Sequence, residues 1–198
     1  MGDLLWFLGF FAGAALLVYI LYIMVRSIFT NRGNTLFKGF VIAPKLKKLD
    51  KEKFKVVKKM RPDPEDNKHF VDFVIVSDYG VFFIKRKEVR GVVEKAEGRE
   101  GNFVKYKDTV RFFKDDNAEL AKDAEKIKTG IAAFKDVKTH LMTVYPDDTV
   151  LKVQSEGFCG NFKDMIDYIN GCSVAENALA SEVKEEIYKA LINRKENM

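Results

Sequence analysis

The sequence predicts an α+β fold, a mixed β-sheet with flanking helices, preceded by one transmembrane helix. Residues 4–25 form an unbroken run of 22 uncharged residues, of which 20 are apolar and two are glycine. Residues 69–76 and 81–87 are rich in β-branched and aromatic side chains and are separated by a turn sequence. Apolar residues at helical spacing follow later in the chain. The predicted fold therefore rests on one long apolar run, one strand hairpin and the helices behind it.

The composition bounds the class of protein. The chain has 198 residues, a hydrophobic fraction of 47%, and 34 basic against 29 acidic residues, which gives a formal net charge of +5. This length suits one domain of about 100–200 residues and one accessory segment. The apolar content is too high for a disordered chain, and two cysteines are too few for a disulfide framework. A wholly soluble protein, a polytopic membrane protein and a disulfide-stapled secreted module are all disfavoured.

Residues 4–25 are predicted to cross a membrane once. As a helix they span about 33 Å, enough for a hydrocarbon core of about 30 Å. A cleaved signal peptide fits less well, because the start carries Asp3 and the apolar run is too long. Four basic residues follow the run, and only the amino terminus precedes it, so the positive-inside rule predicts a cytoplasmic C-terminal domain. These four are Arg26, Arg32, Lys38 and Lys45.

Two glycines inside this run raise the question of dimerisation. Gly9 and Gly13 form a GxxxG pair, a spacing that lets two membrane helices approach closely. Because glycine is frequent in membrane helices, a chance occurrence is the alternative. The sequence therefore predicts contact with membrane lipid through residues 4–25 and leaves a homodimer through Gly9 and Gly13 open.

Residues 26–60 are interpreted as a basic juxtamembrane segment that also contains the first elements of the domain. Lysines dominate its second half, against Asp50 and Glu52. Two interpretations stay open: contact with anionic lipid, at about 1 kcal/mol per basic residue near the surface, or a solvated helix face and strand edge. The lysines are Lys45, Lys47, Lys48, Lys51, Lys53, Lys55, Lys58 and Lys59.

Residues 61–195 are predicted to form the domain itself. Strands come first and helices pack on the sheet afterwards, which is typical of an α+β arrangement. Each helix is expected to begin at a polar residue whose side chain caps backbone N–H groups. After the hairpin, the predicted elements are strands at 89–96, 103–113, 140–145 and 149–153, and helices that begin at Asn117, Asn161 and Ser181.

Thiol chemistry and a structural metal are not predicted. Cys159 and Cys172 are accompanied only by His69 and His140, and the four residues show no metal-ligand spacing. In a reducing cytoplasm we expect two thiols and no bound zinc.

Asp72 is the polar residue of the predicted hairpin that needs an explanation. It lies in the apolar run at 70–74, and a carboxylate in a core strand is costly unless it is paired or binds a cation. Lys85 and Lys87 lie on the next strand. An aspartate on one strand followed by Glu-x-Lys on the next is the pattern of the PD-(D/E)xK nucleases, in which two carboxylates bind Mg²⁺ and the lysine assists electrostatically.

The chain resembles the nuclease-related domain (NERD) family. The resemblance rests on residues 71–76 and 79–84, on Lys87 and on Gly91, with a similar tail, and it covers about residues 37–194. It implies a restriction-endonuclease-like core. It also implies Mg²⁺ or Mn²⁺ as a cofactor, but only if nuclease activity is kept; otherwise no cofactor is expected.

The resemblance implies a degenerate site at Asp72, Lys85 and Lys87. The glutamate of Glu-x-Lys is replaced by Lys85, so only the aspartate and the second lysine remain. The family's early Gly-Glu pair has no counterpart, and of its Asn-Pro…Gln segment only Asn117 survives. Activity is therefore doubtful, and no metal ligand set is predicted.

The hairpin register predicts what replaces the metal. With a turn at 77–80, Val76 opposes Val81. Asp72 then opposes Lys85 on the same face. We expect the ammonium to neutralise the carboxylate and to repel a divalent ion. The alternative is a slipped register in which Lys85 reaches solvent.

Three functions follow from these observations. The first is a membrane-anchored nuclease-related protein that no longer cleaves and whose cytoplasmic domain binds nucleic acid or a protein partner. The second is an active Mg²⁺-dependent nuclease with a relocated carboxylate, for which Glu65 and Glu94 are candidates. The third is a purely structural membrane scaffold. For nucleic acid the best phosphate-binding cluster is Lys85, Arg86, Lys87 and Arg90, with a solvated basic face as the alternative.

Overall fold

The computed structural model describes residues 16–19, 21–22, 46–65, 69–98, 100–114, 116–153, 157–172 and 178–197. The chain divides into two compact units, residues 1–43 and residues 44–198. The boundary between the units lies within residues 26–60, the segment predicted to contain the juxtamembrane stretch and the first elements of the domain.

In the first unit, residues 16–19 and 21–22 are helical. The rest of the predicted span at 4–25, with Gly9 and Gly13, lies outside the described residues. Within the described ranges, no helix is long and apolar enough to cross a membrane. The anchor and the GxxxG dimer therefore stay predictions.

The described strands of the second unit form two β-sheets. In spatial order, the first sheet consists of β1 (Phe54–Met60), β2 (Val71–Ser77), β3 (Gly80–Arg86), β7 (Thr139–Tyr145) and β9 (Phe158–Asn161). Strands β1, β2 and β3 are antiparallel neighbours, whereas β7 and β9 are added in parallel. The sheet is therefore mixed, as predicted.

The second sheet has four strands. In spatial order they are β6 (Thr109–Phe113), β5 (Asn102–Tyr106), β4 (Gly91–Lys95) and β8 (Thr149–Lys152). Strands β4, β5 and β6 are antiparallel neighbours, and β8 runs parallel to β4. The segment predicted as strand at 103–113 is thus a tight hairpin of two strands, and it belongs to a separate sheet.

Within the described part of the second unit, three α-helices accompany the sheets. They are α1 (Asp116–Lys128), α2 (Phe162–Gly171) and α3 (Ser181–Glu196), and a short 3-10 turn occupies Ala132–Phe134. Sheets with flanking helices confirm the predicted α+β class.

The predicted helix caps are only partly correct. Asn117 lies inside α1, and its side chain accepts a hydrogen bond from the Thr143 hydroxyl. Asn161 does precede α2, but its amide donates to the carbonyls of Pro146 and Thr149. At α3 the cap position belongs to Ala180. The Asn117 and Asn161 side chains thus make tertiary hydrogen bonds in place of the predicted capping contacts.

The first sheet buries one face against α1 and α3. Val74, Val76 and Phe83 are fully buried and pack in one cluster with Leu120 of α1 and Leu191 of α3. Burying a side chain of this size contributes about 1.5–3 kcal/mol. A smaller cluster of Val93, Val104 and Tyr145 joins the second sheet to β7.

The β2–β3 hairpin has the predicted register. Val76 pairs with Val81, and Ser77 pairs with Gly80 across the turn. The Ser77 hydroxyl donates to the Gly80 carbonyl at 2.9 Å. Gly80 has φ +127°, and a Cβ there would lie 2.4 Å from the carbonyl oxygen of Lys138, so only glycine fits without strain.

Candidate functional site

The candidate site lies where β2 begins and β3 ends, and both ladders of β2 are interrupted there. The β1–β2 ladder pairs Lys58 with Phe73 and Met60 with Val71, but it has no pair at Asp72. Lys59, between the two paired residues of β1, has φ 52°. The β2–β3 ladder reaches Phe73, paired with Ile84, next to Asp72. Strand pairing is irregular around the carboxylate on both sides.

Asp72 is held by Arg86. The Arg86 backbone N–H donates to Asp72 Oδ2 at 2.8 Å, and its Nη2 donates to Oδ1 at 2.7 Å. The two side chains are 7% and 6% exposed. The guanidinium also lies over the Phe73 ring, 5.5 Å from its centroid. Both carboxylate oxygens are therefore engaged in a buried, charge-assisted pair.

The predicted pair between Asp72 and Lys85 is wrong. The Lys85 ammonium donates instead to the Phe70 carbonyl at 2.7 Å and lies 5.6 Å from the Phe70 ring centroid. The prediction extended regular alternation past the last pair of the ladder. Because the pairing is interrupted there, the carboxylate reaches the backbone and side chain of Arg86, the middle residue of the Glu-x-Lys position.

The four predicted phosphate-binding residues do not form one exposed cluster. Arg86 is buried, and Lys85 is half-buried against Phe70. The Lys87 ammonium lies 5.6 Å from the Phe113 ring centroid, toward the second sheet. Arg90 is exposed, with its Nε 3.4 Å from Asp148 Oδ2.

A titratable cluster that the sequence did not predict lies beside Lys85. His69 Nε2 is 3.2 Å from Glu119 Oε1 and 3.6 Å from Asp123 Oδ2. Burial raises the pKa of the Asp123 carboxyl, and the charges of His69 and Lys85 oppose that rise. Glu119 and Asp123 are four residues apart on α1 and thus share a face, which is the signal in the sequence that could have found them.

The described residues contain no group of three or more His, Cys, Asp or Glu side chains that could hold a metal ion. The two glutamates considered as relocated ligands have other surroundings. Glu94 lies on the second sheet between Lys105 and Lys152, whose hydrogen bonds lower its pKa. Glu65 lies in the loop after β1, where its backbone N–H donates to Asp63.

The two cysteines are not paired with each other. Cys172 Sγ lies 4.0 Å from His140 Nδ1. Burial raises the pKa of the Cys172 thiol and lowers the pKa of His140, which is the opposite of what an activated thiolate needs. The site chemistry therefore centres on Asp72 and its basic neighbours.

Mixed sheets with flanking helices fit an α+β fold of the nuclease-like class. The nuclease-related domain model matches residues 38–146, more than half of the chain. The chain belongs to the nuclease-related domain family. Comparisons with curated proteins and with solved structures gave no significant match.

Proposed function

We propose that this protein is a single-span, membrane-anchored member of the nuclease-related family that does not cleave nucleic acid and acts by binding. One observation carries the loss of catalysis: Arg86 occupies both oxygens of Asp72. A metal-dependent nuclease needs that carboxylate for a divalent cation, which lowers the pKa of a bound water and neutralises phosphate charge.

Electrostatics oppose metal entry at this position. A cation would have to displace the buried Arg86 guanidinium from Asp72 Oδ1 and the Arg86 backbone N–H from Oδ2. Lys85 stands where the family pattern has a carboxylate, and it adds positive charge close by. The residues present therefore do not fit Mg²⁺ or Mn²⁺, and no catalytic step is assigned to a metal.

Membrane anchoring is supported by the apolar run at 4–25 and by the basic residues that follow it. The positive-inside rule then places the domain in the cytoplasm. The proposed role of the domain is to bind nucleic acid, or a protein partner, next to the membrane.

Nucleic-acid binding is supported by the charge and by two basic side chains beyond β3. The chain carries a formal net charge of +5, and a positive surface attracts phosphates without regard to sequence. With Arg86 buried, Lys87 and Arg90 are the members of the predicted cluster best placed for this role.

The absence of catalysis is tested with Mn²⁺. We expect the full chain in detergent to show no sub-millimolar Mn²⁺ binding by electron paramagnetic resonance and no cleavage of DNA or RNA. Lys85→Glu alone should not restore binding, because Arg86 still holds Asp72, whereas Lys85→Glu with Arg86→Leu should gain it. Circular dichroism checks that each variant is folded. Cleavage by the wild-type chain that Asp72→Asn abolishes would contradict the proposal.

Nucleic-acid binding is tested by titration with single- and double-stranded DNA and RNA at several salt concentrations. Lys87→Ala and Arg90→Ala should each weaken binding and reduce the salt slope by about 0.9 for every phosphate that the variant no longer neutralises. Lys163→Ala, an exposed lysine on α2, is the matched control and should leave the slope unchanged. If no nucleic acid binds at low salt, nucleic-acid binding is refuted, and a protein partner or a structural scaffold is the remaining role.

A further inference from the structure

The exposed apolar side chains of the domain are concentrated on the second sheet. Between residues 46 and 197, within the described ranges, the exposed large hydrophobic residues are Tyr106 (48%), Val110 (58%), Phe112 (41%) and Val150 (53%). All four belong to β5, β6 or β8. A contiguous apolar surface of this kind marks an interaction site more often than scattered exposed residues do.

The strand registers show that most of these side chains share one face. Val110 pairs with Lys105, Lys105 with Val92, and Val92 with Val150, which makes one row across four strands. The opposite face is the buried one, because Val93 and Val104 pack inward against Tyr145. The row is therefore on the outer face.

A second row lies beside the first on the same face. Phe112 pairs with Phe103, Phe103 with Glu94, and Glu94 with Lys152. The two phenyl rings meet edge to face, with their centroids 5.6 Å apart. A Cβ at Gly101 would lie 2.6 Å from the Phe112 ring, so that ring packs directly on the backbone. The aromatic pair is therefore held in place before any partner binds.

The outer face and its hairpin tip carry excess positive charge. Lys105 and Lys152 hold Glu94 between them, at 2.5 Å and 3.1 Å. At the tip, Lys107 is exposed beside Asp108. Three basic residues against two acidic ones leave a net positive charge, which favours an anionic partner.

We infer that this face docks on an anionic lipid bilayer through its apolar residues and its lysines. The apolar residues are Val92, Phe103, Val110, Phe112 and Val150, and the charged residues are Lys105, Lys152 and Glu94. Aliphatic side chains flanked by an aromatic pair and by lysines match the surface of an anionic bilayer. The apolar side chains can contact the acyl chains, and the lysines can contact the negatively charged headgroups. Lysine side chains suit this arrangement, because their stems cover apolar surface while the ammonium groups remain in the headgroup layer.

The same contacts disfavour the other anionic partner, single-stranded nucleic acid. Base stacking needs open aromatic faces. Here the edge-to-face contact between Phe103 and Phe112 already covers one ring face, and Tyr106 lies on the opposite face of the sheet, where it pairs with Thr109. The most exposed apolar residues of the face are Val110 and Val150, which have no aromatic ring. The lipid contact adds to the proposed anchor at 4–25 and does not depend on it.

Lipid contact is measured with a single tryptophan and brominated lipid. The chain has one tryptophan, Trp6, so Trp6→Phe gives a silent background for Val110→Trp and for the control Lys189→Trp on an exposed position of α3. The full chain is placed in nanodiscs of brominated phosphatidylcholine, with or without phosphatidylserine. We expect the indole at position 110 to be quenched several times more strongly than the indole at 189 in anionic discs.

The same experiment tests the role of the lysine charges and the alternative partners of the face. Lys105→Gln and Lys152→Gln should each lower the partition of the face onto anionic lipid by about fivefold. Equal quenching at positions 110 and 189 in anionic discs would overturn the inference. So would a larger fluorescence change at 110 on adding a single-stranded oligonucleotide, or on raising protein concentration in detergent. Failure of the chain to enter neutral discs would count against the anchor and leave the quenching comparison valid.

Discussion

Asp72 and Arg86 form a buried ion pair, in which each charge compensates the other in the absence of water. Removing one partner, as in Arg86→Ala or Asp72→Ala, should lower the free energy of unfolding by about 3–5 kcal/mol, since it leaves a buried charge without compensation. The double replacement Asp72→Leu with Arg86→Met should cost much less, because no charge remains. Urea denaturation measures all three.

The exposed pair of Arg90 and Asp148 is the control for this prediction. Both side chains are largely in solvent, so Arg90→Ala should change the free energy of unfolding by only about 0–1 kcal/mol. A cost for Arg86→Ala no larger than that of Arg90→Ala would show that the buried pair does not have the predicted strength.

His140 should make stability fall in mild acid. Its ring stacks on Phe82 with the centroids 4.5 Å apart, and burial holds its pKa below the ordinary value of about 6.5. When pH falls through 6.5, the unfolded chain takes up a proton that the folded chain does not, so folding loses stability. In His140→Gln, the denaturation midpoint should change less between pH 7 and pH 5 than it does in the wild-type chain. Parallel loss of stability in both proteins would contradict this assignment.

At the residue scale, the sequence predicted which carboxylate mattered but not what binds it. Asp72 stood out because a charged residue inside an apolar strand needs a partner. Its partner depended on strand alternation, and alternation fails where the ladders on both sides of Asp72 are interrupted. No local pattern in the sequence marks that interruption.

At the element scale, the β2–β3 turn should tolerate no side chain at Gly80. Gly80→Ala places a Cβ against the Lys138 carbonyl at a φ of +127°, so the backbone of two strands must shift. The matched control is Gly98→Ala, which also has positive φ but meets nothing within 4 Å. The control should cost about 1–2 kcal/mol for the left-handed backbone alone, and Gly80→Ala should cost clearly more. Thermal unfolding of the two variants decides between them.

Local elements were predicted better than distant pairings. The β2–β3 hairpin has the predicted register because its two apolar runs are separated by a short turn. The division into two sheets was missed, because it depends on β8 lying parallel to β4 from more than fifty residues away. Helix α3 was found from its spacing, but its cap shifted by one residue.

At the scale of the whole molecule, the chain should separate into an anchor and an independent domain. Residues 44–198 form a compact unit with its own core. We expect a fragment of residues 44–198 to unfold at the same temperature as the full chain and to lose flotation with neutral vesicles. A full chain that stays in the soluble fraction would refute the anchor, and a fragment that unfolds at lower temperature would refute independence of the domain.

The last helix, α3, is hydrogen-bonded to the residues on either side of the first strand, β1. The Lys184 ammonium donates to the Glu52 carbonyl and to Asp78, and the Arg194 guanidinium donates to the Pro62 carbonyl. Lys184 and Glu52 are 132 residues apart, as are Arg194 and Pro62. At about 5–20 residues per second, a ribosome needs roughly 7 to 26 s to cover that distance. During that time the residues on either side of the lysine-rich strand β1 lack these contacts, and they are exposed to chaperones and proteases until α3 has been synthesised.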